Sequence, residues 1–340
     1  MAVLIERDVL AGDGRGPDGR RGQLLFVTAI GLAVLLVVLS ATLNATVDTG
    51  GVGPDGTATD ASSNALRFQA DAAVAIGTAM DHVNQGTEDS YSDLEDALEK
   101  RVDAWSDLAV RHTARDGTWV RATVVDTTDG TRLAQTNASR PLTNVDGNET
   151  WTVVSDADRV RAIRLAPSNE SLVEVTTPSP TVTQLENEDV FTVTLHGDDQ
   201  SARVFVYRTD DDPAVVSVDS GDGSLEGSCA VPVGPDGRFG IDLTAATVSD
   251  TDCEPLEALA DVDGPYTVEF DNGDSAVGTY SLVVDRRPSE LDTDGFHADG
   301  DAGGPTATKA IYDSTVETTY ASRTIDTTLE HRIAPGEFDD

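Results

Sequence analysis

The stretch GPYTVEFDNGDSAVGTYSLVV, residues 264–284, carries the clearest secondary-structure signal in the chain. Its two apolar-alternating runs, Tyr266–Phe270 and Gly278–Val284, flank the turn sequence DNGD. Asn-Gly at the centre of such a turn accepts the positive backbone angles that tight β turns require. We therefore predict a β hairpin here and a β-rich fold around it.

Period-two patterns continue on both sides of this stretch. They predict a mainly antiparallel, sandwich-like β domain over residues 117–287. An acidic loop is expected at 288–308, and C-terminal strands with an acidic tail at 309–340. The other candidate strands are 119–125, 151–154, 160–165, 172–176, 190–195, 202–207, 215–218, 239–243 and 325–333.

A helical hairpin is predicted at 65–116, before the β domain, so the fold class is α+β. Ser92 followed by Glu95 is a capping-box signal for the start of the second helix. The predicted buried stripe of the first helix consists of Leu66, Ala70, Ala73, Gly77 and Met80. The predicted buried stripe of the second helix consists of Tyr91, Leu94, Leu98, Val102, Trp105 and Ala109.

Residues 23–47 are uncharged and strongly apolar, and their number suffices for one N-terminal transmembrane helix. Four arginines precede this segment, and three of them, Arg15, Arg20 and Arg21, lie within eight residues of it, whereas acidic residues follow it. The positive-inside rule then predicts a cytoplasmic leader at 1–22 and an extracellular C-terminal region, so the protein would lie in the cell membrane as a single-pass protein. The polar stretch at 48–64 contains several glycines and a proline, which is typical of a flexible linker.

The junction between leader and apolar segment resembles the class III signal of type IV pilin-like proteins. Arg20 and Arg21 precede Gly22, and Gln23 would begin the mature chain, so the resemblance implies cleavage between Gly22 and Gln23. Bacterial pilins carry Glu at the fifth mature position, where this chain has Val27. An uncleaved signal anchor is the alternative.

The charge balance excludes one class of partner and indicates an environment. Against 61 acidic residues stand 23 basic ones, which gives a net charge of −38. Nucleic acid is excluded as a partner, because phosphate binding needs basic patches. Molar salt shortens the Debye length to about 3 Å and screens the self-repulsion. We therefore expect a halophilic protein.

The sequence contains no HExxH, no GxSxG and no Gly-rich phosphate loop, and we expect neither catalysis nor a cofactor or metal site. Cys229 and Cys253 are the only cysteines, and their extracellular position favours a disulfide over two free thiols. Asn137, Asn148 and Asn169 each begin an Asn-x-Ser/Thr triplet and are candidate glycosylation sites.

Four parts of the chain resemble a family of haloarchaeal pilin-like (type IV pilin or pseudopilin-like) single-pass membrane proteins. They are RRGQLLFVTAIGLAVL (20–35), HVNQG with SYSDLEDALEKRVDAWSDLAVRHTARDGTWVRATV (82–86 and 90–124), GPYTVEFDNGDSAVGTYSLVV (264–284) and TLEHRIAPGE (328–337). Together they cover about a quarter of the chain. The resemblance implies a surface protein of the minor pilin or pseudopilin kind.

Two functions follow as expectations. The first is a non-enzymatic extracellular surface protein anchored by one N-terminal helix, a pilin-like structural or assembly subunit. Its partners would be the lipid bilayer and other pilin-like subunits or surface proteins. The second is a membrane-tethered binding or adhesion module with an uncleaved anchor. The Arg-Gly-Gln junction favours the first, and the Gly-rich linker favours the second because it would uncouple the domain from the helix.

Overall fold

The structure is a computed structural model. It describes residues 58–86, 88–177, 179–210, 214–231, 233–297 and 303–338. The leader at 1–22, the apolar segment at 23–47 and most of the predicted linker lie outside these ranges. Within the described part of the chain, no helix is both long enough and apolar enough to cross a bilayer.

Two long helices form the first layer. Helix α1 spans Ala58–Asn84 and helix α2 spans Tyr91–Thr113. The predicted linker at 48–64 is therefore wrong at its C-terminal end, because residues from Ala58 onward are helical. The second helix is capped by Ser90, whose side chain accepts from the Asp93 N–H at 3.1 Å, and not by the predicted Ser92.

The buried face of α1 differs from the predicted stripe. Leu66 is 65% exposed and Ala70 is also exposed, whereas Phe68, Ile76 and Val83 are buried. Both stripes include Met80, but the observed one carries the larger apolar side chains and so removes more apolar area from water. The stripe of α2 agrees better, since Leu94, Leu98 and Val102 are its buried apolar residues.

The rest of the described chain is mainly antiparallel β structure with one further short α-helix, α3 (Val182–Asn187), and several 3-10 helices, of which the longest spans Glu254–Asp261. The strands in chain order are β1 (Trp119–Gln135), β2 (Trp151–Ala157), β3 (Val160–Pro167), β4 (Phe191–His196), β5 (Ser201–Tyr207), β6 (Ala214–Asp219), β7 (Gly227–Val231), β8 (Ile241–Asp242), β9 (Thr247–Val248), β10 (Thr251–Asp252), β11 (Tyr266–Asp271), β12 (Gly278–Val284), β13 (Pro305–Ala321) and β14 (Asp326–Ile333).

These strands form two sheets packed face to face. The eight-stranded sheet has the order β10-β9-β8-β3-β12-β1-β13-β14, and the six-stranded sheet has the order β2-β11-β4-β5-β6-β7. Their inner faces share one apolar core, in which Trp151, Phe270 and Tyr280 meet edge to face. The helices pack on the other face of the eight-stranded sheet, mainly over β1, β13 and β14.

The predicted hairpin at 264–284 is wrong, although its two strands exist. β11 pairs with β2 and β4, whereas β12 pairs with β1 and β3, so the turn carries the chain from one sheet to the other. Asn272 has a φ of 55°, and a Cβ on Gly273 would lie 2.3 Å from the carbonyl oxygen of Leu142. The Asn-Gly signal therefore marks a tight turn between the two sheets. The backbone hydrogen bonds of β11 and β12 are made with strands that are distant in sequence.

Two other predicted boundaries also change. The C-terminal strands are part of the β domain, because β13 lies between β1 and β14 in the eight-stranded sheet. The predicted acidic loop at 288–308 ends sooner, since β13 begins at Pro305. The candidate strand at 172–176 forms only an isolated bridge between Glu174 and Arg208.

Candidate functional site

The residues singled out from the sequence do not come together in one place. Gly22 and Gln23 lie outside the described residues. Cys229 lies on β7, and Cys253 follows β10 at a distance of 5.9 Å between Cα atoms, where a disulfide joins them. Because β7 and β10 are edge strands of different sheets, this bond links the two sheets at one edge of the sandwich.

The three candidate glycosylation sites differ in accessibility. Asn148 is exposed in the loop before β2, where its own N–H donates to Asn144 Oδ1 at 2.8 Å. The side chain of Asn137 is engaged, since its Oδ1 accepts from the Ser139 N–H at 3.0 Å. Asn169 is partly buried, and its Oδ1 has no hydrogen-bond partner in the described structure. Asn148 is thus the most open of the three.

A groove among the described residues lies on the outer face of the eight-stranded sheet, beside the helical layer. Its volume is about 580 Å³. We call it the outer-face groove; it is formed by β1, β12, β3 and the β8–β10 segment. Small-molecule sites typically have volumes of about 300–1,000 Å³. Its polar lining includes Arg132, Arg164, Asp242, Thr247, Thr279 and Ser281.

Strand register explains why polar residues line this groove. Tyr280, Leu165 and Ile241 are opposite one another on β12, β3 and β8, and all three belong to the core between the sheets. Successive side chains of a strand point to opposite faces. The next row, Ser281 and Arg164, therefore faces outward. Asp242 and Thr247 extend this outward row onto β8 and β9.

A bulge in β3 puts two arginines on the outer face. Val283 is opposite Arg161, and Ser281 is opposite Arg164, so three steps along β3 match two steps along β12. Ala162 has a φ of 53°, which is unusual for a residue with a side chain and absorbs the extra step. Without this bulge, residues three apart in a strand would point to opposite faces.

Arg161 is fully buried behind the groove and holds three segments together. Its guanidinium donates to the carbonyl oxygens of Tyr312 at 2.6 Å, Ile311 at 3.0 Å and Pro335 at 3.1 Å. It also donates to Asp81 Oδ1 of α1 at 3.1 Å. Burial lowers the pKa of Arg161, and the neighbouring Asp81 carboxylate opposes that shift. The arginine thus connects α1, β13 and the C-terminal segment to β3.

Arg164 is held in place at the wall of the groove. Its Nε donates to Asp242 Oδ2 at 2.7 Å, and its Nη1 donates to Asp81 Oδ2 at 3.1 Å. Burial alone would lower its pKa, but these two carboxylates raise it above the usual value. The charge of Arg164 is therefore matched within the protein.

Arg132 differs from the other two arginines. Within the described residues its guanidinium has neither a hydrogen-bond acceptor nor an ion-pair partner, although it lines the groove. Burial lowers the pKa of Arg132, and the more distant Asp81 only partly offsets this effect. A partly desolvated guanidinium without a counterion leaves up to five N–H donors available to a ligand.

The far wall of the groove is a tight hairpin. β9 and β10 are joined by Ser249 and Asp250, which have φ values of 49° and 59°. Two consecutive positive φ angles are typical of the two-residue hairpin turns that match strand twist. Both residues line the groove, and the disulfide at Cys253 follows directly after β10. The disulfide therefore fixes the end of this hairpin at which β10 ends.

The arrangement offers hydrogen bonds and one unmatched positive charge, which suits binding of a polar, anionic small molecule. In the described part of the chain, no cluster of three or more His, Cys, Asp or Glu side chains is placed to hold a metal ion.

The groove was not predicted from the sequence. A signal was present in Val160–Pro167, VRAIRLAP, where Arg161 and Arg164 stand three apart in a candidate strand. That spacing fits a half-solvated strand poorly and could have indicated the bulge. Nothing in the local sequence distinguishes Arg132 from the other arginines.

The chain was also compared with known proteins. No protein-family model, no curated protein and no solved structure matches it.

Proposed function

We propose that the protein is a non-enzymatic surface protein, anchored in the cell membrane by its apolar N-terminal segment, with residues 58–340 outside the cell. In this proposal it acts as a pilin-like structural or assembly subunit that contacts neighbouring subunits or surface proteins through α1. The observation that carries it is an exposed apolar stripe on that helix.

The stripe consists of Leu66, Ala70 and Val74. Leu66 is 65% exposed and Val74 is 64% exposed, while Ala70 between them is also exposed. Their spacing of four residues aligns them along one side of α1. Single exposed apolar residues are normal on a protein surface, but a helix with apolar residues on two sides can pack against two partners. Within the chain, one side already packs on the sheet.

The position of α1 in the chain supports an assembly role. It begins at Ala58, eleven residues after Val47, where the apolar segment ends. If residues 23–47 anchor the chain, neighbouring copies are concentrated in the two dimensions of the membrane, which favours contact between them. Extracellular exposure is supported by the disulfide between Cys229 and Cys253, and a salty environment by the net charge of −38.

A double substitution tests the assembly surface. Leu66→Ser with Val74→Ser should abolish complexes that are chemically cross-linked on cells, while the amount of displayed protein stays the same. The matched control is Leu108→Ser, which changes an apolar residue on α2 that is 47% exposed. Unchanged cross-linked complexes in the double variant would refute assembly through α1.

Mass determination of the mature N terminus tests the export route. A chain that begins at Gln23 would support processing of the pilin type, because the proposed cut lies between Gly22 and Gln23. A chain that retains Met1 or Ala2 would remove that route and leave the signal-anchor alternative.

The second candidate function is a membrane-tethered binding or adhesion module, and the outer-face groove is the observation that favours it. The two proposals predict different consequences of mutation. Loss of the α1 stripe would affect an assembly subunit, whereas changes in the groove would affect a binding module.

A further inference from the structure

We infer that the outer-face groove binds a ligand with one carboxylate on a polyhydroxylated body, that is, an acidic sugar unit of the uronic acid kind. The inference goes beyond an assembly role through α1, since no residue of the α1 stripe lines the groove.

Arg132 indicates that the ligand carries a carboxylate. The charge of Arg164 is matched by Asp81 and Asp242, and that of Arg161 by Asp81, so three arginines face two carboxylates in this cluster. Arg132 is the arginine without an ion pair among the described residues. A planar guanidinium binds a carboxylate through two parallel hydrogen bonds, and this geometry is stronger than neutral hydrogen bonds.

Four hydroxyl groups in the groove indicate that the rest of the ligand is polyhydroxylated. Thr279 and Ser281 lie on β12, and Thr247 and Ser249 lie on the opposite wall. None of these four hydroxyls hydrogen-bonds to another protein group within the described structure. Each hydroxyl can donate and accept, which matches the hydroxyls of a sugar. The exposed carboxylate of Asp250 on the rim is a further acceptor.

The charge of the whole protein limits the ligand to a low charge density. A net charge of −38 repels polyanions with closely spaced charges, such as polyphosphates. One unmatched arginine suits one carboxylate per sugar unit. Two of the lining residues, Ala166 and Gly240, are small, which leaves room for a ring to approach the sheet.

Binding is tested with the full-length protein in detergent, at about 2 M KCl to screen long-range repulsion. The probes are D-glucuronate, D-glucose, which lacks the carboxylate, and acetate, which lacks the hydroxyls. Isothermal titration calorimetry and saturation-transfer NMR should show binding of glucuronate at least about tenfold tighter than of either control. Failure of glucuronate to bind, or equal binding of acetate or glucose, would overturn the inference.

Three variants locate the site. Arg132→Gln should weaken glucuronate binding at least about tenfold. Because Arg132 has no partner in the described structure, its loss should leave the unfolding midpoint unchanged. Arg121→Gln, which changes an exposed arginine of the same strand outside the groove, should bind like the wild type. Ser281→Leu fills the groove without changing a charge and should also block binding.

Wild-type affinity in Arg132→Gln would overturn the inference, and so would wild-type affinity in Ser281→Leu. These results are independent of the cross-linking of the Leu66 and Val74 variant. Failure of the ligand inference and failure of the assembly proposal can therefore be told apart.

Discussion

The outer face of the eight-stranded sheet has two halves of opposite character. Under the helices, Val120, Ala122 and Val316 are fully buried. On β12 and β3, the same face carries Ser281 and Arg164 and is open to solvent. An antiparallel sheet needs only one buried face, and the sandwich core already supplies it. The helical layer therefore covers part of a face that could have stayed polar, and the uncovered part is available for binding.

The boundary between the halves is the ion pair between the buried Arg161 and the partly exposed Asp81. Replacing Arg161 by Met should lower the free energy of unfolding by about 3–5 kcal/mol, because three carbonyl groups lose their hydrogen-bond donor and Asp81 keeps only Arg164 as an ion-pair partner. Urea unfolding at constant salt measures this loss. Arg164→Met is the control at an exposed position and should cost at most about 1 kcal/mol.

A double variant sharpens this test. Arg161→Met combined with Asp81→Leu should lose less stability than the sum of the two single changes, because the carboxylate that loses its partner Arg161 is removed as well. Additive losses would show that the pair does not connect the two halves energetically.

The disulfide should stabilise the open half more than the covered half. Replacing Cys229 and Cys253 by Ser should lower the free energy of unfolding by about 3 kcal/mol. β8, β9 and β10 have only two residues each, so amide hydrogen exchange should accelerate there before it does in β13. Equal acceleration in β10 and β13 would contradict a local role for the bond.

Matched substitutions compare the two halves directly. Val316→Thr places a hydroxyl under the helices and should cost about 1–3 kcal/mol. Ser281→Val places an apolar group in the groove and should change stability by no more than about 0.5 kcal/mol. Thermal unfolding of both variants measures the difference. Similar losses would mean that the groove is as tightly packed as the helix interface.

The sequence predicts the elements of this fold better than their partners. Alternation of apolar and polar residues located most strands, because the period depends only on which face is buried. The Asn272-Gly273 turn was correctly placed, but a local turn signal cannot show whether its two strands pair or cross between sheets. Pairing is decided by contacts distant in sequence, such as those of β1 with β13.

The buried face of α1 and the outer-face groove are two other features that could not be predicted from the sequence. In an Ala-rich helix, two stripes containing Met80 fit the helical period, and only the size of Phe68 and Ile76 separates them. The groove depends on the β3 bulge at Ala162, and on where the helical layer ends. Neither follows from residue patterns within one segment, so Arg132 could not be assigned from the sequence.

The smallest expected effect concerns pH and the C-terminal segment beside the boundary. Burial alone would raise the pKa of Glu337, but hydrogen bonds from Arg332 at 2.9 Å and from Tyr312 Oη at 2.7 Å lower it below the usual 4.5. A carboxyl group with a lowered pKa in the folded state stabilises the protein above its unfolded pKa, and this contribution is lost as the pH falls through the folded pKa.

Glu337→Gln should therefore be less stable than the wild type at pH 7, and the difference should shrink as the pH falls below the usual 4.5. Urea unfolding at constant KCl concentration measures both proteins across this range. Glu330→Gln, at an exposed position of β14 without an ion pair among the described residues, controls for removal of one negative charge. A difference in the free energy of unfolding between wild type and Glu337→Gln that stayed constant from neutral to acid pH would show that the ionised carboxylate does not fix this segment against Tyr312. The contact between the two halves would then depend on Arg161 alone.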